Sequence, residues 1–123
     1  MKEIAIFEIA TDNQGNIWLV PCDRILKFNG TNWIDYGSSS ELVGRYFVTA
    51  IVIDAQDNKW FGTSEGVTKF DGSSWITYTT SNGLASNSVR AIAINAQGNI
   101  WLGTGEGITK ISYEKQPENQ DNE

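Results

Sequence analysis

The chain has 123 residues, of which 9 are basic, 15 acidic and none histidine, with a net charge of -6 and a single cysteine. At this length a core is possible but not large, because a domain of about 150 residues hides roughly 68–70% of its unfolded surface and shorter ones hide less. The acidic balance offers no basic stripe to release counterions from a phosphate backbone, so nucleic acid and anionic membranes are not expected partners. Without histidine there is no His-based triad and no imidazole metal ligand.

Taken from the N-terminus, MKEIAIFEIATD is too short and too charged, with Glu8 in its apolar stretch, for a signal peptide or a membrane span. As written, the chain is therefore expected to be cytoplasmic. DNQGNIWLVPCDRILKF at 12–28 opens a series of copies: it shares 8 of 17 positions with NAQGNIWLGTGEGITKI at 95–111, and DAQDNKWFGTSEGVTKF at 54–70 shares 10 of 17 with that same segment. Trp18, Trp60 and Trp101 fall 42 and 41 residues apart, and Trp33 and Trp75 again 42 apart within FNGTNWIDY and FDGSSWITY. A period of this length is the signature of stacked repeats.

Each unit reads as short strands punctuated by turns. In the second, FDGSSW supplies a hairpin and Trp75 opens WITYTT as a fourth strand. In the third, SVRAIAI at 88–94 is apolar on both faces, with Val89, Ala91 and Ala93 on one side and Ile92 and Ile94 on the other, and is expected to be buried both ways. NAQGN at 95–99 is a turn, IWLGT at 100–104 a strand, GEG at 105–107 a tight turn able to take positive φ, and ITKIS at 108–112 the next strand. The runs are too short and too often broken by glycine for helices of ordinary length.

A four-stranded antiparallel sheet recurring every 41–42 residues, with tryptophan on its second and fourth strands, predicts an all-β fold of β-propeller blades. The alanines of SVRAIAI suit an innermost strand where the wedge narrows. Three repeats are expected, at about 1–36, 46–80 and 88–113, followed by a polar acidic tail at 114–123. The third lacks its outer strand.

GLASNSVRAIAINAQGNIWLGTGEGITKIS at 83–112 resembles the two-component regulator propeller repeat found in the sensory regions of bacterial hybrid sensor kinases, and weaker copies extend to about Tyr113. The resemblance implies a ligand-sensing or interaction surface rather than a catalyst, and a periplasmic location if the chain is part of such a sensor. VPCDR at 20–24 departs from the GTSEG and GTGEG of the other copies, so the second hairpin of the first repeat is expected to be rebuilt.

Closed propellers hold about four to eight blades, so three leave two apolar end faces in water. The favoured expectation is a homodimer closing a six-bladed ring; another oligomer or a fragment of a larger propeller are the alternatives.

Candidate ligand contacts lie at one end of the blades. Asp23, Glu65 and Glu106 occupy equivalent hairpin turns, Arg24 follows the first, and Arg45, Tyr46, Asn87 and Arg90 sit on or beside the connections from fourth to inner strand. A small-molecule, glycan or protein ligand fits this set. No catalytic residue, metal site or cofactor is expected. DNQGN, DAQDN and NAQGN lack the carboxylate count of a calcium loop and read as turns. Cys22 has neither a disulfide partner nor a histidine base and reads as a bystander. The function class expected is a non-enzymatic binding or scaffolding module. The alternative is a propeller lyase or hydrolase of the streptogramin-lyase type, a family whose activity looks tied to histidine and a divalent metal.

Overall fold

The computed structural model describes residues 6–21, 23–43 and 48–112. Its strands come in three groups, each starting where a polar turn releases an apolar run. The first is β1 (Ile6–Thr11), β2 (Ile17–Pro21), β3 (Arg24–Phe28) and β4 (Trp33–Ser38); the second is β5 (Ala50–Ile53), β6 (Lys59–Thr63), β7 (Gly66–Phe70) and β8 (Trp75–Tyr78). The third is β9 (Val89–Ile94), β10 (Ile100–Thr104) and β11 (Gly107–Ile111). Each group forms an antiparallel sheet in chain order, and β1, β5 and β9 lie side by side. This is the expected all-β propeller arrangement of about three blades, the third with three described strands. A helical turn, α1 (Ser39–Leu42), and a 3-10 turn at Thr80–Asn82 occupy the connections between blades.

One carboxylate organises the first turn of a blade. Asp54 Oδ1 accepts from the backbone N–H of Gln56 (3.0 Å) and Asn58 (2.9 Å), while Oδ2 accepts from Asn58 Nδ2 and from the indole Nε1 of Trp60, both at 2.9 Å. Asp12 repeats every one of these contacts with Gln14, Asn16 and Trp18. The side chain thus closes the hairpin and pins the buried tryptophan of the following strand. Lysine from the neighbouring strand covers each indole: Lys27 lies over Trp18, Lys69 over Trp60 and Lys110 over Trp101, each with Nζ 5.6 Å from the ring centroid. Tyr36 and Tyr78 of the fourth strands stack on the first two indoles at 5.2 and 5.9 Å.

In the third blade Asn95 stands where the aspartates stand. Its Oδ1 still receives the Gln97 and Asn99 N–H groups at 3.0 Å. Its remaining amide atom is a nitrogen, a donor that cannot accept from an indole. Trp101, with no described sheet beyond it, is 38% exposed, whereas Trp18 and Trp60, each facing a further blade, are fully buried.

The core consists of two seams. Trp18, Val20 and Ile25 of the first blade meet Val48, Ile51, Phe61 and Phe70 of the second. Trp60 and Val67 of the second meet Val89, Ile100 and Leu102 of the third. Gly62 is required in the second seam, since a Cβ there would lie 2.8 Å from Val89 Cγ1 and 3.3 Å from Ile92 Cδ1.

Two expectations need correction. Val89 does not share a face with Ala91 and Ala93. The β9–β10 register shifts between Gly103 and Thr104, leaving Arg90 as an extra residue, and this bulge turns Val89 to the side of Ile92 and Ile94. Nor is the strand buried both ways: Ala91 and Ala93 are exposed, because among the described residues no sheet follows the third blade. The first blade's rebuilt hairpin is visible in its pairing, which ends at Leu19 opposite Leu26, whereas β6–β7 pairing continues to Thr63 opposite Gly66.

The carboxylate bracket sets a ranking of substitutions. Asp54→Asn keeps the turn, as Asn95 does, and loses the indole acceptor, a loss of about 1–3 kcal/mol. Asp54→Ala strands the backbone N–H groups of Gln56 and Asn58 as well and is expected to cost more. Urea unfolding of both variants checks this; an alanine variant no less stable than the asparagine variant would refute the bracket.

Candidate functional site

The antiparallel order places two kinds of loop at opposite ends of the blades. At one end are the second hairpins and the connections between blades. Thr63 Oγ1 donates to Gly66 O (3.0 Å) and accepts from Glu65 N (2.9 Å); Thr104 does the same with Gly107 O (2.8 Å) and Glu106 N (3.1 Å). Each threonine locks its turn, with Gly66 and Gly107 at φ +117° and +123°, and leaves the glutamate side chain exposed at the tip. The connection into β9 is fastened to the last of these turns by Gly105 N donating to Ser88 O at 3.0 Å. Thr49 Oγ1 ties the second blade to the third by donating to Val89 O at 2.7 Å.

The sequence-derived residues separate on this frame. Glu65 and Glu106 are exposed at equivalent tips, and Arg90, the bulged residue, is exposed with its guanidinium against Gly105. Among the described residues Arg90 has no ion-pair partner. Arg24 is committed elsewhere: Nη1 donates to Asp35 Oδ2 at 2.8 Å, joining β3 to β4, with exposed Asp23 at 3.9 Å. Asn87 is also a fastener, its Oδ1 accepting from Thr80 N at 2.8 Å. Arg45, Tyr46 and Cys22 lie outside the described residues.

At the opposite end the first two blades enclose a cleft of about 300 Å³ lined by Asp12, Trp18, Lys27, Tyr36, Asp57 and Lys59 among others. Sequence reasoning passed over two of these. Asp57 and Lys59 depart from the repeat, standing where the other copies have Gly15 or Gly98 and Ile17 or Ile100. Asp57 takes the left-handed conformation, φ +68°, that the glycines hold at +85° and +86°. Its Oδ1 accepts from Asn13 N across the seam at 2.7 Å, and its Oδ2 lies 3.2 Å from Lys59 Nζ. Lys59 is buried, with Nζ 3.9 Å from Asp12 Oδ2 and 5.3 Å from the Trp18 ring centroid. Asn13 Nδ2 adds bonds to the carbonyls of Asp54 (3.1 Å) and Ala55 (3.2 Å). These groups are engaged with one another and latch the two blades. The available signal was the break in the repeat at DAQDNK, a charged pair replacing glycine and isoleucine.

Comparison with known proteins agrees with this geometry. Residues 83–106 match the family model for the two component regulator propeller. Over those residues the chain is similar to one two component regulator propeller repeat. No curated protein matches the chain. Among solved structures, PorZ, a bacterial surface component of the type-IX secretion system of Porphyromonas gingivalis, superposes with a TM-score of 0.71 at 23% identity over 92% of this chain and 18% of its own. The extracellular domain of the hybrid two component system BT3049 from B. thetaiotaomicron gives a TM-score of 0.74 at 20% identity over 89% of this chain and 16% of its own. A catalytically inactive histidine-to-alanine variant of virginiamycin B lyase from Staphylococcus aureus gives 0.63 at 15% identity over 93% of this chain and 43% of its own. The shared property is the fold. The propeller repeats here span less than a fifth of the first two proteins and less than half of the third.

Two titrations follow from the packing. Burial pushes the Asp12 carboxyl up, but the bonds from Trp18, Asn16 and Gln14 more than offset it and hold it below its ordinary 3.8; the Ser74 and Ser73 N–H groups lower Asp71 likewise. Burial raises Glu8 above 4.5, with the Ile51 N–H opposing. A depressed carboxyl contributes stability above its unfolded pKa that is lost as pH falls through the folded value, and a raised one contributes below its unfolded pKa and loses it as pH rises. Stability is therefore expected to fall as pH drops below about 3.8 through Asp12 and Asp71, and to rise as pH drops toward 4.5 through Glu8. In Glu8→Gln the rise should vanish and the acid loss remain, as read from urea midpoints against pH; a wild-type rise undiminished in the variant would refute the assignment.

Proposed function

We propose that the chain is a non-enzymatic binding module whose second-hairpin end receives a polar ligand of the sugar or peptide type. The observation that carries this is a contrast between ends. Asp12, Asp54, Asp57 and Lys59 are spent on turns and seams, whereas Glu65, Glu106 and Arg90 stand exposed on threonine-locked turns and a fastened connection. Charged groups on a rigid frame bind with little ordering cost. Two carboxylates and one guanidinium suit a ligand rich in hydroxyl, amide or ammonium donors with an acceptor for the arginine.

Two further observations support binding over turnover. The sequence contains no histidine, while the lyase variant that shares the fold is described as inactive after losing one. Another neighbour, at 17% identity and a TM-score of 0.64, is YCF48 bound to a D1 peptide. A location outside the cytoplasm agrees with the extracellular domains that share the fold, and no helix of the described residues is long and apolar enough to cross a membrane.

The test is a panel of oligosaccharides and lysine-containing peptides, screened by thermal shift and followed by calorimetric titration. Glu65→Gln, Glu106→Gln and Arg90→Ala are expected to weaken a panel ligand, each by about tenfold, the scale of one hydrogen bond to a charged group, while leaving the unfolding midpoint unchanged. Retention of full affinity in all three, or chemical conversion of the ligand by the wild-type chain, would overturn the reading.

A further inference from the structure

The two end faces of the blade row are unlike each other, and each repeats one half of a seam already present in the molecule. On the first blade, Ile6, Ile9, Leu19, Phe28 and Trp33 stand one period of 42 residues before Val48, Ile51, Phe61, Phe70 and Trp75. All five of those later residues belong to the first seam, packed under Trp18, Val20 and Ile25. Three of their earlier counterparts have no such cover, Ile9 being 62% exposed, Trp33 46% and Ile6 38%, while Phe28 is half-buried and Leu19 buried; Ile6, Glu8, Ile9 and Leu19 line an apolar cleft of about 410 Å³.

The third blade presents the other half. Trp101, Gly103 and Ile108 stand 83 residues after Trp18, Val20 and Ile25, and 41 after Trp60, Gly62 and Val67, the covering groups of the two internal seams. Ile108 is 71% exposed. Gly103 keeps the missing side chain that lets Val89 and Ile92 approach Gly62, yet the nearest atom to its own Cβ position is Ala91 Cβ at 3.8 Å. By the repeat, the residues that would fill that space are Ile6 and Ile9.

One chain cannot join these faces, because the second blade separates them. We infer that two copies of the chain associate head to tail, the Trp101–Gly103–Ile108 face of each covering the Ile6–Ile9–Trp33 face of the other, so that both seams close one ring. With the three described blades contributed by each copy, two copies stay within the roughly four to eight blades of closed propellers, and three copies exceed it. The contact is heterologous, joining unlike patches, and closes only because the same step taken twice returns to the start. This goes beyond the binding reading and does not depend on it.

The test is the mass of the chain in solution by light scattering, with far-UV circular dichroism as the folding control. Wild type is expected at twice the 13.6 kDa chain mass. Ile9→Arg and Ile108→Glu alter exposed positions on opposite faces, so both should fold and each alone should run as a monomer, since either substitution spoils both seams of its own pair. Mixed in equal amounts, they form a pair with one unmodified seam and should recover mass above the monomer. A wild-type monomer, as expected if these faces await further blades of a longer polypeptide, would overturn the proposal. So would mass growing without limit with concentration, or a folded variant on either face that stays dimeric, the sign of like faces pairing.

Discussion

The rest of the structure depends on a buried carboxylate that serves two masters. Asp12 and Asp54 each bind the backbone of the turn they begin and, six residues on, the indole of the strand that leaves it. A charge buried this deeply is tolerable only when its lone pairs are filled, and here N–H donors from its own heptapeptide fill them. The hairpin and the core side chain are thus fixed by the same interaction. Lysine and tyrosine then cover the faces of the indole, so the apolar seam is assembled around a polar pin.

Because that pin is local, each blade can form its own turn; joining the blades falls to other residues. The second seam is closed by shape, with Gly62 admitting Val89 and Ile92. The first seam is closed also by charge, through Asn13, Asp57 and Lys59. Asp57 carries a modest backbone cost for its left-handed φ, offset by charge-assisted bonds to Asn13 and Lys59 that glycine cannot make. Neither device operates at the threonine-locked turns, whose glutamates are exposed.

Much of the architecture was legible because it is periodic. The 41–42 residue spacing of tryptophan, the turn strings and the strands that follow them predicted the sheets and their order, and IWLGT became β10 over the expected residues. What alternation could not supply was the bulge at Arg90, since a single extra residue reverses a face without changing composition. Partnerships across the sheet were hidden for the same reason. Arg24 stands beside Asp23 in the chain, but it is paired with Asp35, brought near only by β3–β4 pairing. Asn87 likewise serves Thr80. The inter-blade latch was visible as a break in the repeat, and its meaning required knowing that Asn13 and Asp57 face each other.

The outer margin of β11 has a consequence of its own. Blades one and two finish with β4 and β8, but among the described residues Gly107–Ile111 is paired only with β10, so its outward amides and carbonyls form an open ladder. Such a margin is a template for any extended segment that reaches it, whatever its side chains. Lys110, exposed midway along, puts a solvated charge where indiscriminate stacking would begin. Among the described residues the two kinds of boundary thus differ in what they ask of a neighbour: the blade faces require matching shapes, and this margin requires backbone alone.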